Sequence, residues 1–271
     1  MQQRVAISGI ELLIDGSGTD NILMIHGWPD THHLWDNTVE QLANRFRCGR
    51  FTLPGYDRRH PRQLWDLPQM MTLLDQIVET FSPDQPVTLL IHDWGCFWGY
   101  QYYMRRPERV ARIIAVDIGD ANSPEHVATL SAKAKLYGLS YQLYLALAWK
   151  IGGAIGDAMT RKMAAWLHAP ELPARIHSGM TYSYWWKWSN TLRGIKLGSV
   201  VIDIRCPLLF IYGKDKPVAF HSTAWTERMA AIAGNQVIAL DTGHWVMHQQ
   251  PTQFNQLVAD WLHEQSNVKA S

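Results

Sequence analysis

Short runs of apolar, often β-branched residues alternate along the chain with longer stretches in which apolar residues recur every three or four positions. The first pattern reads as buried strands, the second as helices packed on one face. Residues 4–14 read as a first strand, and Asp15-Gly16-Ser17-Gly18 as a turn. Asn21 to Ile25 is a buried strand running into His26-Gly27-Trp28-Pro29-Asp30. Leu34 to Arg45 has helical spacing, and Cys48 to Leu53 is a strand ending in Pro54-Gly55-Tyr56. Leu67 to Phe81 is a helix stopped by Ser82-Pro83-Asp84. Val87 to Ile91 is a strand, followed by a sharp turn, a helix to about Arg106, and the strand Val110 to Val116. Past Asp120 the alternation lapses, and residues 121–196 read as aromatic-rich helices and loops. It resumes at Val200, with strands Leu208 to Tyr212 and Gln236 to Leu240 and helices Ser222 to Ala233 and Phe254 to His263.

Strands alternating with helices imply right-handed crossovers and a mostly parallel sheet with helices on both faces. The expected fold is therefore α/β. Residues 1–120 and 197–271 form its core, and residues 121–196 form a helical cap inserted as a lid over the C-terminal edge of the sheet. Ligands bind at that edge in open α/β sheets. There is no internal repeat and no low-complexity tract.

Composition sharpens the picture in a few places. The 271 residues, 47% hydrophobic and 18% charged, suit one large domain or one domain with an insertion. A formal net charge of +1 gives no electrostatic case for nucleic acid or an acidic membrane surface. Cys48, Cys96 and Cys206 have neither paired spacing nor a metal pattern, which fits a reduced cytosol. The N-terminal stretch lacks the apolar core of a signal peptide, and no segment approaches the ~18 apolar residues of a membrane helix. The 13 tryptophans cluster, as core or as the wall of an apolar substrate pocket.

The chemistry gathers around residues 87–100. His92-Asp93-Trp94-Gly95 makes the strand-to-helix turn of a nucleophile elbow, with aspartate in place of serine. Gly95 permits the tight turn, and the following helix aims free N–H groups and a positive dipole end at the carboxylate. This favours an ionised, nucleophilic Asp93; a plain helix N-cap is the blander role. An oxyanion formed on Asp93 needs two donors. The residue after the nucleophile, Trp94, supplies one N–H, and Trp28 in the His26-Gly27-Trp28-Pro29 loop supplies the other. The Trp28-Pro29 peptide is a candidate cis bond. A base is expected late in the chain. His244, in Asp241-Thr242-Gly243-His244-Trp245 after the last strand, fits the nucleophile-acid-histidine order. His26 and His92 are read as support for the site. The carboxylate that orients His244 is either Asp215, after Leu208 to Tyr212, or Asp117, at the end of the strand closing at Val116.

Together these residues resemble the α/β-hydrolase superfamily, in its aspartate-nucleophile branch of epoxide hydrolases, haloalkane dehalogenases and fluoroacetate dehalogenases. The resemblance covers both ends of the chain, about three-quarters of it. His-Gly-Trp-Pro with His-Asp-Trp-Gly is most similar to epoxide hydrolases. Tyr141-Gln142-Leu143-Tyr144 resembles the lid segment carrying the first epoxide-activating tyrosine of mammalian soluble epoxide hydrolase, which implies that role for Tyr141. A second tyrosine is implied late in the lid. There Met180-Thr181-Tyr182-Ser183-Tyr184-Trp185 departs from the usual Asn-Tyr-Tyr-Arg, and Tyr182 ranks ahead of Tyr184. The family's acid usually ends a Gly-x-x-Asp pattern. Counted from Gly213 that place holds Lys216, and Asp215 is one short. Several dehalogenases carry the acid twenty-four residues past the nucleophile, which here is Asp117. That favours Asp117, with Asp215 the rival. Ile91 and Cys96 stand where the family has small residues and crowd the elbow.

The resemblance implies epoxide opening through an Asp93 ester, hydrolysed by water that His244 activates, with no metal or organic cofactor. The expected partner is a small apolar substrate, and the protein is expected to be a monomer or homodimer. Haloalkane dehalogenation is the alternative, with the same nucleophile and base. Fluoroacetate dehalogenation fits less well, since Trp94 and Phe97 stand where that family places arginines. A serine nucleophile at an elbow is absent. A binding protein on a retired hydrolase scaffold is the non-enzymatic alternative.

Overall fold

A computed structural model describes residues 2–270, with side chains described through Ser266. The elements run β1 (Gln3–Ile7), β2 (Ile10–Asp15), β3 (Asn21–Ile25), α1 (Asp36–Leu42), β4 (Arg47–Phe51), α2 (Leu67–Phe81), β5 (Val87–His92), α3 (Trp94–Tyr103) and β6 (Val110–Val116). Then come α4 (Pro124–Thr129), α5 (Ala132–Ile151), α6 (Gly153–Trp166) and α7 (Tyr182–Leu192). The chain closes with β7 (Leu208–Gly213), α8 (Thr223–Ala230), β8 (Gln236–Leu240), α9 (Val246–Gln249) and α10 (Pro251–Ala270). One eight-stranded sheet has the order β1-β2-β4-β3-β5-β6-β7-β8. The β1/β2 and β2/β4 pairs are antiparallel, and every pair from β4 to β8 is parallel.

The central parallel strands β3, β5 and β6 are buried on both faces, and their two-residue period sorts the core into two layers. Leu23, Ile25, Leu89, Ile91, Ile113, Ala115 and Phe210 share one layer with the apolar faces of α2 and α3. Ile22, Met24, Leu90, Ile114, Val116 and Ile211 share the other with Val39, Leu42, Phe254, Val258 and Trp261 of α1 and α10. Helix α2 starts at a capping box, with Asp66 and Gln69 each accepting from the other's backbone N–H. Between β6 and β7 the described residues hold helices and no strand. Leu145, Ala146, Met180, Tyr184 and Trp186 from that insertion join the first core layer.

Three expectations need correction. Residues 4–14 are not one strand but a hairpin, turning at Ser8-Gly9, both with positive φ (48° and 82°). The helix expected over Leu34 to Arg45 is a 3₁₀ turn, His32–Trp35, followed by the shorter α1. The last helix starts at Pro251 and outruns His263. None of the described helices is long and apolar enough to cross a membrane.

The crowding expected at Ile91 and Cys96 is relieved locally. A Cβ on Gly99 would lie 2.8 Å from Ile91 Cγ2, so this glycine makes room for the large side chain. The Cys96 thiol donates to the carbonyls of Ile91 (3.3 Å) and Val116 (3.5 Å), bridging two strand ends. Gly99→Ala should lose about 1–3 kcal/mol to overpacking, against about 1 kcal/mol gained in helix propensity. In an Ile91→Ala background only the gain should remain. Urea melts of the four proteins should therefore give a coupling of at least about 1 kcal/mol; a coupling near zero would mean that Ile91 yields freely.

Candidate active site

Asp93 terminates β5 with φ 51° and ψ −121°, a conformation that a non-glycine residue holds only under constraint. Its side chain makes no capping hydrogen bond to α3, so the N-cap role is not the one it plays. Two glycines allow the turn. A Cβ on Gly95 would lie 2.1 Å from the Ile25 carbonyl oxygen. A Cβ on Gly27 would lie 2.3 Å from Asp93 Oδ1. The loop after β3 can therefore press against the carboxylate, and the Trp28 N–H donates to Oδ1 at 2.6 Å. The Trp28-Pro29 peptide is cis, as expected. Burial opposes ionisation of Asp93, but His244 and the Trp94 N–H outweigh it and hold the pKa below the ordinary carboxylate value. The Trp28 N–H thus meets Oδ1, the Trp94 N–H favours the ionised carboxylate, and Oδ2 is left facing the imidazole.

His244 lies between two carboxylates. Its Nε2 is 3.5 Å from Asp93 Oδ2 and its Nδ1 is 2.5 Å from Asp117 Oδ2. Asp117 is fully buried just past β6, with φ 69°. Its Oδ1 accepts the Gly213 N–H at 3.0 Å and the Lys216 ammonium. The geometry brings Asp117, and not Asp215, to the histidine. Asp215 is exposed, and its N–H donates to the Thr242 carbonyl at 2.8 Å. Burial disfavours charge on His244, yet the hydrogen bonds and charges of Asp117 and Asp93 prevail and raise its pKa to about 9. Burial likewise opposes charge on Asp117, but Lys216 and His244 lower its pKa to about 2.

The neighbouring histidines are neutral supports. His92 lies tilted against His244 with ring centroids 4.4 Å apart, and its Nε2–H donates to the His244 carbonyl at 3.1 Å. His26 accepts the Leu53 N–H at Nε2 (2.9 Å) and donates from Nδ1 to the Gly27 carbonyl (2.9 Å), bracing the oxyanion loop. Burial lowers the pKa of each to about 3.

From the insertion, Tyr141 and Tyr184 reach the site and Tyr182 does not. The Tyr184 ring stands edge-on to Trp94 (5.3 Å), Trp28 (5.9 Å) and Tyr141 (6.2 Å). Burial and the nearby Asp93 carboxylate raise the pKa of both phenols, so both stay protonated. Tyr182 is instead buried against Tyr56 (6.0 Å) and Gly55, where its ring packs the loop after β4. The ranking of Tyr182 over Tyr184 is thereby reversed. Two residues along a helix turn the side chain by ~200°, so only one of the pair can face the nucleophile. One residue whose role the sequence did not show supports Tyr141. Gln142 Nε2 donates to the Tyr141 oxygen at 3.3 Å, while Gln142 Oε1 accepts from Lys187 (3.0 Å) and Trp188 (3.2 Å). Tyr141 is thus an acceptor on the Gln142 side, which leaves its own proton for another group. Among the described residues, no group of three or more His, Cys, Asp or Glu is placed to hold a metal ion.

The raised pKa of His244 has a sign. The unfolded imidazole binds its proton at the ordinary 6.5 and the folded one at about 9. The contribution to stability is complete below 6.5 and is lost as pH rises through 9, by at most about 3 kcal/mol. Resistance to urea should therefore fall as pH rises between those limits, and His244→Gln should flatten that slope. Asp93→Ala should move the imidazole titration, followed by proton NMR, downward; no movement would mean that the Asp93 charge does not reach the ring.

Comparison with known proteins agrees with the fold. The chain matches 26% of 244 aligned positions in a Mycobacterium tuberculosis protein named "Probable oxidoreductase EphD", over 77% of this chain and 40% of that protein. It thus spans less than half the length of that relative. A mutant of an epoxide hydrolase from Bacillus megaterium, solved with its diol product, superposes with a TM-score of 0.71 at 18% identity, covering 96% of this chain and all of that one. A loop variant of the haloalkane dehalogenase DbeA from Bradyrhizobium elkanii gives 0.68 at 16% identity, over 100% of this chain and 98% of that one. Residues 20–251 match the family model described as the alpha/beta hydrolase fold, and with the eight-stranded sheet, the elbow and the late histidine this places the chain in the alpha/beta hydrolase family.

Proposed function

We propose that this hydrolase opens epoxides to vicinal diols through a covalent ester on Asp93. The observation that carries this reading is the pair of buried phenols, Tyr141 and Tyr184, beside the nucleophile. An opening epoxide leaves as an alkoxide on the same molecule and needs a proton at that moment. A departing halide does not. Asp93 Oδ2 attacks one ring carbon, the carbon–oxygen bond breaks, and the new alkoxide takes a phenol proton, which the His244 imidazolium restores to the phenolate, leaving the imidazole neutral. His244 then removes a proton from water, which attacks the Asp93 carbonyl carbon. Negative charge collects on Oδ1 between the Trp28 and Trp94 N–H groups and returns as the diol oxygen departs with the proton held by His244. Asp117 orients His244 and stabilises its cation. The aromatic walls suit a small apolar substrate.

Haloalkane dehalogenation is the second reading. The Trp28 Nε1–H is buried without a hydrogen-bond partner, as a donor awaiting a halide would be. One measurement separates the two. His244→Gln stops the cycle at the ester, so intact mass should show Asp93 carrying one substrate. An epoxide adds its whole mass; a bromoalkane adds its mass less the halogen. Adduct from styrene oxide or an aliphatic epoxide, slowed about a hundredfold or more by Tyr141→Phe with Tyr184→Phe, supports the epoxide reading. Adduct from bromoalkanes alone, indifferent to the tyrosines, would replace it with the second.

A further inference from the structure

Lys216 has no part in the reaction as described, yet it is buried in the middle of the catalytic charges. It lies in the loop after β7, its side chain 7% exposed, with its ammonium on Asp117 Oδ1 while Oδ2 meets His244. The same ammonium lies 5.4 Å from the centre of the Phe220 ring, whose centre is 5.6 Å from that of the His244 ring in an edge-on arrangement. Asp93, His244, Asp117 and Lys216 therefore form a file of alternating charge. The other groups around it are accounted for. His92, on β5, is neutral against His244. Burial, with Lys216 next in effect, lowers the pKa of His221 to about 4 and leaves it neutral. Asp30 is buried behind His92 and Trp245, and burial raises its pKa well above the usual carboxylate range. Asp120 is engaged by Ser123 and Ser222. Lys214 pairs outward with Asp241, and Asp215 is exposed.

A buried ammonium is expensive to desolvate, and an apolar side chain would fill the same space more cheaply. What the charge alone supplies is an offset to Asp117. We propose that Lys216 is a positioning residue that sets the charge state of His244. By occupying one oxygen of Asp117 and cancelling part of its charge, it lets the imidazole give up its proton once Asp93 is neutral.

The steps follow from the file. In the resting protein two carboxylates hold His244 as a cation. Ester formation removes the charge of Asp93. If Asp117 then acted with its full charge, a larger share of the imidazole would stay protonated and less base would be available at neutral pH. With Lys216 on the far oxygen, the remaining hold is weaker. Lys216 also leaves Asp117 a single free direction, toward Nδ1, which fixes the ring with Nε2 facing the site. The consequence for turnover rests on the function proposed above; the effect on His244 does not.

The test therefore reads His244 directly, without substrate. Asp93→Ala reproduces the neutral nucleophile. Proton NMR titration of the imidazole, assigned by its loss in His244→Gln, gives its pKa in Asp93→Ala and in Asp93→Ala with Lys216→Met. The double variant should titrate about one pH unit or more higher, and Lys216→Arg in place of Lys216→Met should restore the lower value. Lys216→Gln, which keeps a hydrogen bond without charge, replaces the methionine variant if that protein does not fold, with the same rise expected. Equal pKa values with and without the charge, accompanied only by a fall in melting temperature, would overturn the proposal. In turnover, Lys216→Met should keep the rate of ester formation and need higher pH for ester hydrolysis. Absence of any Asp93 adduct would remove the function proposed above while leaving the titration result to stand or fall alone.

Discussion

The site depends on one backbone constraint, the approach of three chain segments to the end of β5. Asp93 can hold its unusual dihedrals only because Gly95 brings α3 against the Ile25 carbonyl and Gly27 brings the oxyanion loop against the carboxylate. With larger residues at either glycine, the Trp28 N–H would stand too far from Oδ1 to stabilise charge there. The parallel sheet supplies the rest of the alignment. β5 lies beside β6, β6 beside β7, and β7 beside β8, so the segments that follow β5, β6 and β8 open on one edge. Asp93, Asp117 and His244 come from those three segments. No tertiary accident is required to bring them together.

Electrostatics then does what the backbone cannot. A histidine between two carboxylates is a cation well above neutral pH, and each carboxylate is held ionised in turn. Burial works against every one of these charges, so each depends on its partner. Removing His244 or Asp117 leaves a neighbour charged and unpaired, whereas losing the charge of Asp93 leaves His244 paired with Asp117. The neutral histidines at positions 26 and 92 avoid that penalty. Each uses its ring as a fixed donor and acceptor, bracing the loop that carries Trp28 and the residue that carries the base.

Much of this was legible in the chain. β3, β6 and β8 and helix α2 were read at their observed bounds, because apolar runs and a stop such as Ser82-Pro83-Asp84 are local signals. The β1/β2 hairpin was not, because two residues of turn barely interrupt an alternating pattern. The meeting of the Trp28 N–H with Asp93 and the place of His244 beside them were readable from turn chemistry and chain order. The acid was harder, since Asp117 and Asp215 each follow a strand, and only a spacing borrowed from relatives favoured the one the geometry brings to His244. The late tyrosine was misread because the choice depends on where α7 begins. Starting at Tyr182, that helix turns Tyr182 toward Gly55 and Tyr184 toward the nucleophile. The roles of Gln142 and Lys216 were not legible, because they lie in contacts made across the fold.

An aspartate at the elbow changes what is asked of the histidine. A serine must lose a proton before it can attack, so its base works in the first step. A carboxylate needs no base, and a cationic neighbour keeps it ionised while it waits for substrate. The same cation would be useless for the second step, where water must lose a proton. In the proposed cycle the nucleophile itself makes the exchange, because forming the ester erases the charge that had held the imidazole protonated. The remaining carboxylate must then be strong enough to orient the ring and weak enough to let its proton go. Those demands pull in opposite directions on Asp117. A carboxylate with one oxygen on the imidazole and the other on an ammonium meets both, since the hydrogen bond sets direction while the ammonium moderates charge.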